Sequence, residues 1–281
     1  MLTLQAPAKI NLTLEVLSKR PDGYHEIRSI IQAISLADTL HFETGSEVDI
    51  ESDMASWRAP DSLVSKAVML VREAAGVSSG VAIYVEKRIP MMGGLGGDSS
   101  DAAAVLLGLN RFWKLNLPLE KLLQMARQLG SDVSFFLYGG TALAEGRGEI
   151  ITPLPDLPGV GVAIVLPPVP PLPGKTRRLY ESLRPNHFTD GEITRRAVEA
   201  IKAAEAFAPP LLFNTFENVA FEAFPGLAAA REHLLKLGAD NVHLAGSGPT
   251  LFTLAPDKAR AEELRALLRN QNISAFAAET I

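Results

Sequence analysis

Residues 90 to 104 read Pro-Met-Met-Gly-Gly-Leu-Gly-Gly-Asp-Ser-Ser-Asp-Ala-Ala-Ala, and this stretch constrains the chain more than any other. Four of the five residues from 93 to 97 are glycine, so the backbone there turns tightly and approaches a ligand closely. The run from Ala102 to Leu107 favours helix. Ser99 or Ser100 supplies an N-cap, which predicts a helix from about residue 99. The first-turn N–H groups then point into the loop and, with the helix dipole, form an anion site. The alternative is a strand-to-helix turn with no ligand. The loop lacks the lysine of a G-x-x-x-x-G-K-[ST] phosphate loop, and its glycines do not follow G-x-G-x-x-G. Asp98 and Asp101 put negative charge beside the expected phosphates; they cap the helix, face solvent, or help to hold Mg²⁺.

Around this loop the chain mixes strands and helices. Residues 2 to 17 alternate as one or two strands, and Pro21-Asp22-Gly23 signals a turn. Residues 27 to 45 read as strand, turn and strand, and 62 to 75 as a helix closed by Gly76. Residues 80 to 90 are a strand stopped by proline, 119 to 129 a helix after Pro118, and 139 to 155 a hairpin. Beyond a proline-rich stretch, strands are expected at 160–166, 241–244 and 250–254, and helices at 191–206, 227–237 and 258–269. This is an α+β pattern with partly antiparallel strands, without the regular beat of a doubly wound fold. At 281 residues two domains fit, expected at 1–157 and 158–281.

Composition excludes several functions. There is no cysteine, hence no disulfide, thiolate nucleophile or cysteine-based zinc site. The net charge of -5 offers no basic footprint for nucleic acid. The five histidines show no metal-binding spacing. No long uncharged apolar run suggests a membrane span, and the alternating N-terminus is unlike a signal peptide. A cytoplasmic chain, monomeric or weakly dimeric, is expected.

Phosphoryl transfer to a hydroxyl requires held phosphates, neutralised charge and an oriented hydroxyl. Lys9 interrupts an apolar strand pattern, so it meets a partner or ligand, or lies on a solvent face. Asn11 shares its side of the strand. Asp132 stands between Gly130 and the Phe135-Phe136 pair, as a carboxylate that orients an alcohol or as an N-cap. Paired with Lys9 it would stay ionised. Tyr24 and His25 follow the Pro-Asp-Gly turn, where they stack on and read a flat ring, or merely decorate a turn. Gly246-Ser247-Gly248, between two expected strands, is a turn or a second backbone site for phosphate.

Taken together, Ala6 to Leu12, Pro90 to Ala104 and Leu244 to Thr250 resemble the three motifs of the GHMP kinase superfamily. Pro7 to Leu12, Arg20 to Ile27, Gly130 to Val133 and Glu145 to Glu149 narrow the resemblance to a branch that acts on a cytidylyl substrate. The resemblance covers essentially the whole chain. It implies an N-terminal domain like ribosomal protein S5 domain 2 and a ferredoxin-like C-terminal α/β sandwich. It implies ATP-dependent phosphorylation, with Mg²⁺, of the 2-hydroxyl of a diphosphocytidyl methylerythritol in the non-mevalonate isoprenoid route. Lys9 and Asp132 would be the catalytic pair. Pro90, Met91, Met92, Gly93, Gly94, Leu95, Gly96, Gly97, Asp98, Ser99, Ser100 and Asp101 would bind ATP, with Gly246, Ser247 and Gly248. Asn11, Tyr24, His25, Thr176 and Tyr180 would bind the substrate. Ser100 is the candidate for Mg²⁺. Asp98 stands where a glycine is common, and Tyr180 where many relatives have phenylalanine. Homoserine or mevalonate phosphorylation is the rival activity, and a non-catalytic nucleotide-binding protein the rival of another class.

Overall fold

The alternating N-terminal segment forms one long strand, β1 (Leu2–Lys19), and a second long strand follows the Pro-Asp-Gly turn, β2 (His25–Glu43). A computed structural model describes residues 1–157, 159–204 and 209–281. Pro158, where the second domain was expected to begin, and Glu205 and Ala206, the expected end of a helix, lie outside the described residues. β2 is continuous where strand, turn and strand were expected. Asp38, a charged residue within it, is fully buried. Its carboxylate accepts hydrogen bonds from the backbone N–H groups of Ile89 (2.7 Å) and Arg88, so it satisfies buried donors inside the fold.

Two compact units share these strands: Met1–Ala8, Ala37–Met91 and Gly96–Gly139 form one, and Lys9–Leu36, Met92–Leu95 and Gly140–Ile281 the other. In the first unit, β3 (Val48–Ser52) runs parallel to β4 (Val81–Glu86), which pairs antiparallel with Thr39–Glu43 of β2. Four α-helices belong to this unit: α1 (Leu63–Ala75), α2 (Gly97–Phe112), α3 (Leu119–Leu129) and α4 (Val133–Tyr138). Ser62 caps α1, and Gly76 ends it in the left-handed conformation at φ 63°, as its sequence predicts. α2 packs against α1, α3 and α4. Gly108 lets it lie on β2, because a Cβ there would stand 2.4 Å from the Phe42 ring.

In the second unit, β5 (Thr141–Gly146) and β6 (Ile150–Pro153) form the expected hairpin, and β5 pairs with Ile27–Gln32 of β2. Then come β7 (Gly161–Leu166), α5 (Lys175–Ser182), α6 (Glu192–Lys202) and β8 (Phe213–Asn214), the last parallel to β1 at Thr13 and Leu14. They are followed by α7 (Glu217–Ala223), α8 (Leu227–Lys236), β9 (His243–Leu244), β10 (Leu251–Ala255), α9 (Lys258–Arg269) and β11 (Ser274–Glu279). An antiparallel sheet of order β11-β7-β10-β9 has α9 packed on it, a helix-on-sheet sandwich of the expected kind. Leu14, Val16, Val165, Leu179, Phe216, Phe224, Leu244 and Leu251 belong to one buried cluster of this unit. β3, α4, α5, α7 and β11 are short elements that the apolar periodicity did not assign. No helix among the described residues is long and apolar enough to cross a membrane.

Candidate active site

The glycine loop is held by its backbone. Gly94 has φ +87°, and a Cβ there would stand 2.1 Å from the carbonyl oxygen of Ala245. Only glycine permits this torsion and this approach. The Lys9 N–H donates to the Leu95 carbonyl at 2.9 Å, which ties the loop to β1. Gly93 and Leu95 are buried, while Met91 and Met92 are exposed and Pro90 is partly so. Across from the loop, a Cβ on Gly246 would stand 3.1 Å from the Gly94 carbonyl oxygen, 3.4 Å from Lys9 Nζ and 3.6 Å from Asn11 Oδ1. Two glycine segments, a lysine and an asparagine thus converge.

Lys9 is buried, so the solvent-face alternative does not hold. Its ammonium donates to Asn11 Oδ1 at 2.8 Å, and Asn11 Nδ2 donates to Ser29 Oγ at 2.8 Å. Sequence reasoning missed Asn214, a buried residue of β8 whose Nδ2 donates to the carbonyls of Leu244 and Gly246, each at 2.8 Å. Its side chain shapes the Gly-Ser-Gly turn. The only local signal is a polar residue among apolar ones. Thr176 Oγ1 lies 2.7 Å from Ser247 Oγ. Lys175, also missed, donates to Ser247 Oγ at 3.1 Å and to the Gly248 carbonyl.

At the other end of the loop α2 begins at Gly97, with Gly96 as N-cap at φ 74° and no side-chain capping bond. The expectation of a serine cap is therefore corrected: Ser99 and Ser100 are already inside the first turn, and the Ser100 N–H donates to the Gly96 carbonyl at 2.9 Å. A left-handed glycine lets the loop enter the helix directly. It also leaves the first-turn N–H groups without a side-chain acceptor, the condition for anion binding. Ser100 Oγ is buried and has no hydrogen-bond partner. Asp98 reaches sideways, with both carboxylate oxygens 3.4 Å from the Leu63 N–H at the start of α1.

Behind the loop lies a buried charge cluster that was also missed. Lys87 Nζ donates to Asp38 Oδ2 at 2.5 Å and to Asp101 Oδ2 at 2.6 Å, and all three side chains are shielded from solvent. Asp101 therefore faces the protein interior. Burial pushes its carboxyl up to about 7, with the Lys87 charge opposing and Asp38 adding. Burial alone would lower Lys87, but the two carboxylates outweigh it and hold the ammonium above its ordinary value. This cluster anchors the first turn of α2 to the ends of β2 and β4. Only Asp38 carried the signal that marked Lys9, a charge in an apolar strand; Lys87 lies between Glu86 and Arg88, and Asp101 within α2.

The base-recognition candidates also meet. His25 stacks on Tyr180, with ring centroids 4.6 Å apart at 17°, and Tyr180 meets Phe216 edge-on at 4.8 Å. Burial, then the Lys19 charge, push the His25 imidazole below its ordinary value, which favours its neutral form. Tyr24 is 55% exposed, and the Arg147 guanidinium lies 4.4 Å over its ring. Tyr180, whose path the proline-rich stretch obscured, is on α5.

Asp132 occupies the N-cap position of α4 but has helical torsions (φ −73°, ψ −19°) and makes no side-chain capping bond. Its capping role is therefore not used. The Phe135 and Phe136 rings, 5.0 Å apart, are buried just beyond it.

Comparison with known proteins agrees with this architecture. The family descriptions "GHMP kinases N terminal domain" and "GHMP kinases C terminal" match residues 62–140 and 194–273. A 4-diphosphocytidyl-2-C-methyl-D-erythritol kinase of Dehalococcoides mccartyi is 50% identical over 281 residues, covering 100% of this chain and 99% of the relative. The enzyme of the same name from Geobacillus kaustophilus is 41% identical over 272 residues, 95% of this chain and 93% of that one. The crystal structure of a 4-(cytidine 5'-diphospho)-2C-methyl-D-erythritol kinase superimposes with a TM-score of 0.85 at 35% identity, over 99% of both chains. On this likeness along its whole length, the chain belongs to the 4-diphosphocytidyl-2-C-methyl-D-erythritol kinase family of the GHMP kinases.

Proposed function

We infer that the chain is an ATP-dependent kinase that phosphorylates the 2-hydroxyl of 4-diphosphocytidyl-2-C-methyl-D-erythritol, a step of the non-mevalonate route to isopentenyl diphosphate. The observation that carries this function is the convergence of Gly94 and Gly246 with Lys9 Nζ and Asn11 Oδ1. It supplies close backbone approach, a cation and a hydrogen-bonding amide where a transferring phosphoryl group needs them.

Gly94 to Ser100 would cradle the ATP phosphates through backbone N–H groups. Asp132 would take the proton of the 2-hydroxyl as its oxygen attacks the γ-phosphorus; the bond to the β,γ-bridging oxygen breaks and ADP leaves. Lys9 would balance charge on the phosphoryl group. Mg²⁺, when bound, neutralises phosphate charge. The orphaned Ser100 hydroxyl fits a ligand role for it, since magnesium takes few protein ligands. Neutral His25 would donate to and accept from the cytosine edge. Tyr24 and Tyr180 offer ring faces for stacking, each worth roughly 1–3 kcal/mol by analogy with nucleic-acid bases. A base on Tyr24 uses the face away from Arg147 or displaces it.

The test is phosphorylation of the cytidylyl substrate beside homoserine and mevalonate, followed by Asp132→Asn. Turnover should be confined to the cytidylyl substrate, and the variant should lose at least about 10²-fold in kcat with ATP affinity kept. Near wild-type kcat at saturating substrates would remove Asp132 from the chemistry.

A further inference from the structure

Lys9 and Lys175 present two ammonium groups to one glycine turn. Lys175 Nζ donates to Ser247 Oγ at 3.1 Å and to the Gly248 carbonyl, and Lys9 Nζ stands 3.4 Å from a Cβ placed on Gly246. Both acceptors of Lys175 are uncharged. The charge that acts on it is a second cation: burial, then Lys9, push the Lys175 ammonium down to about 8. Charged groups on α5 and on a neighbouring helix have partners of their own. Arg177 of α5 pairs with Glu181 at 2.8 Å. On α7, which packs against α5, Glu217 accepts from the Leu244 N–H at 2.9 Å and lies 3.1 Å from His243 Nδ1.

Two like charges in partly dehydrated surroundings repel, and an anion between them turns the repulsion into attraction. An ammonium has three N–H donors, so the two contacts to the turn leave one for such an anion. We propose that Lys175 is a second phosphate-binding cation of the transfer site, acting with Lys9 on a phosphoryl or diphosphate oxyanion. The inference rests on the glycine loop being the phosphate site of a kinase. Two molecules carry the required group: ATP, through its terminal phosphates, and the cytidylyl substrate, through its diphosphate.

The experiment is steady-state kinetics of Lys175→Ala, Lys175→Gln and Lys175→Arg, varying ATP and the cytidylyl substrate in turn across a pH series, with the melting temperature of each variant. The Ala and Gln variants should raise KM for one phosphorylated ligand by at least about tenfold, the scale of a lost charge-assisted hydrogen bond. The ligand whose KM rises is the one held. Lys175→Arg should recover most of the loss. Wild-type kcat/KM should decline above about pH 8, and arginine, which stays charged, should move that decline upward. Unchanged KM values and an unchanged alkaline decline in the Ala and Gln variants overturn the proposal. So does a lower melting temperature in all three with both KM values intact, which marks a structural lysine. If the wild type phosphorylates homoserine or mevalonate instead, the functional assignment fails and the ATP arm alone decides the role of Lys175.

Discussion

Gly94→Ala tests whether contact between the glycine loop and the Gly-Ser-Gly turn is needed for activity. Gly23 is an internal control, because Gly94 and Gly23 share φ +87°. An L-residue in that region costs about 1–2 kcal/mol at either position. A Cβ on Gly23 meets nothing within 4 Å, whereas one on Gly94 stands 2.1 Å from the Ala245 carbonyl oxygen. The latter contact is with backbone and cannot be relieved by rotating a side chain, so an overpacking cost of about 1–3 kcal/mol is added. Gly94→Ala should thus lose about 2–5 kcal/mol, against about 1–2 for Gly23→Ala. The strain opens the loop away from the turn, and a misplacement of about 1 Å at a transfer site costs on the order of 10²-fold in rate. Urea denaturation of both variants and kcat of Gly94→Ala at saturating substrates measure the two effects. Equal stability losses in the two variants, with unaltered kcat in Gly94→Ala, would refute the close-approach reasoning.

His25→Ala and Tyr24→Ala should raise KM for the cytidylyl substrate well above any change in KM for ATP; equal shifts for both substrates would place these residues outside the base pocket. Asp101→Asn tests the buried cluster behind the loop. A carboxyl pushed up to about 7 makes the folded state hold a proton that the unfolded chain has released, so stability declines as pH rises from the ordinary carboxylate range toward 7. The variant should lack this share of the decline, which melting curves from acid to neutral pH would reveal; an identical slope in both proteins would mean that Asp101 stays ionised throughout.

Local chemistry made much of the site legible. The capped helix from Leu63 to Ala75 and the helix from Lys258 to Arg269 follow from their end residues and apolar spacing. The period of two along β1 puts Lys9 and Asn11 on one side, where they bond. A cluster of glycines announced close backbone approach, and Gly94 provides it. These features depend on residues near one another in the chain, where steric limits and side-chain alternation act without a fold.

Tertiary structure decided what depends on distant partners. Lys87 meets Asp38 across 49 positions, and Asn214 holds a turn 30 to 32 residues away. Lys175 reaches Ser247 across 72. Each partner is a common surface residue type until burial gives it a task. Gly96 rather than a serine caps α2 for the same reason. The loop is tied to β1 at Leu95 and passes close to Ala245 at Gly94, and that path demands a left-handed residue before serine capping can apply. A sequence states which conformations its residues tolerate, while the choice among them is made by contacts that exist only after distant segments have packed.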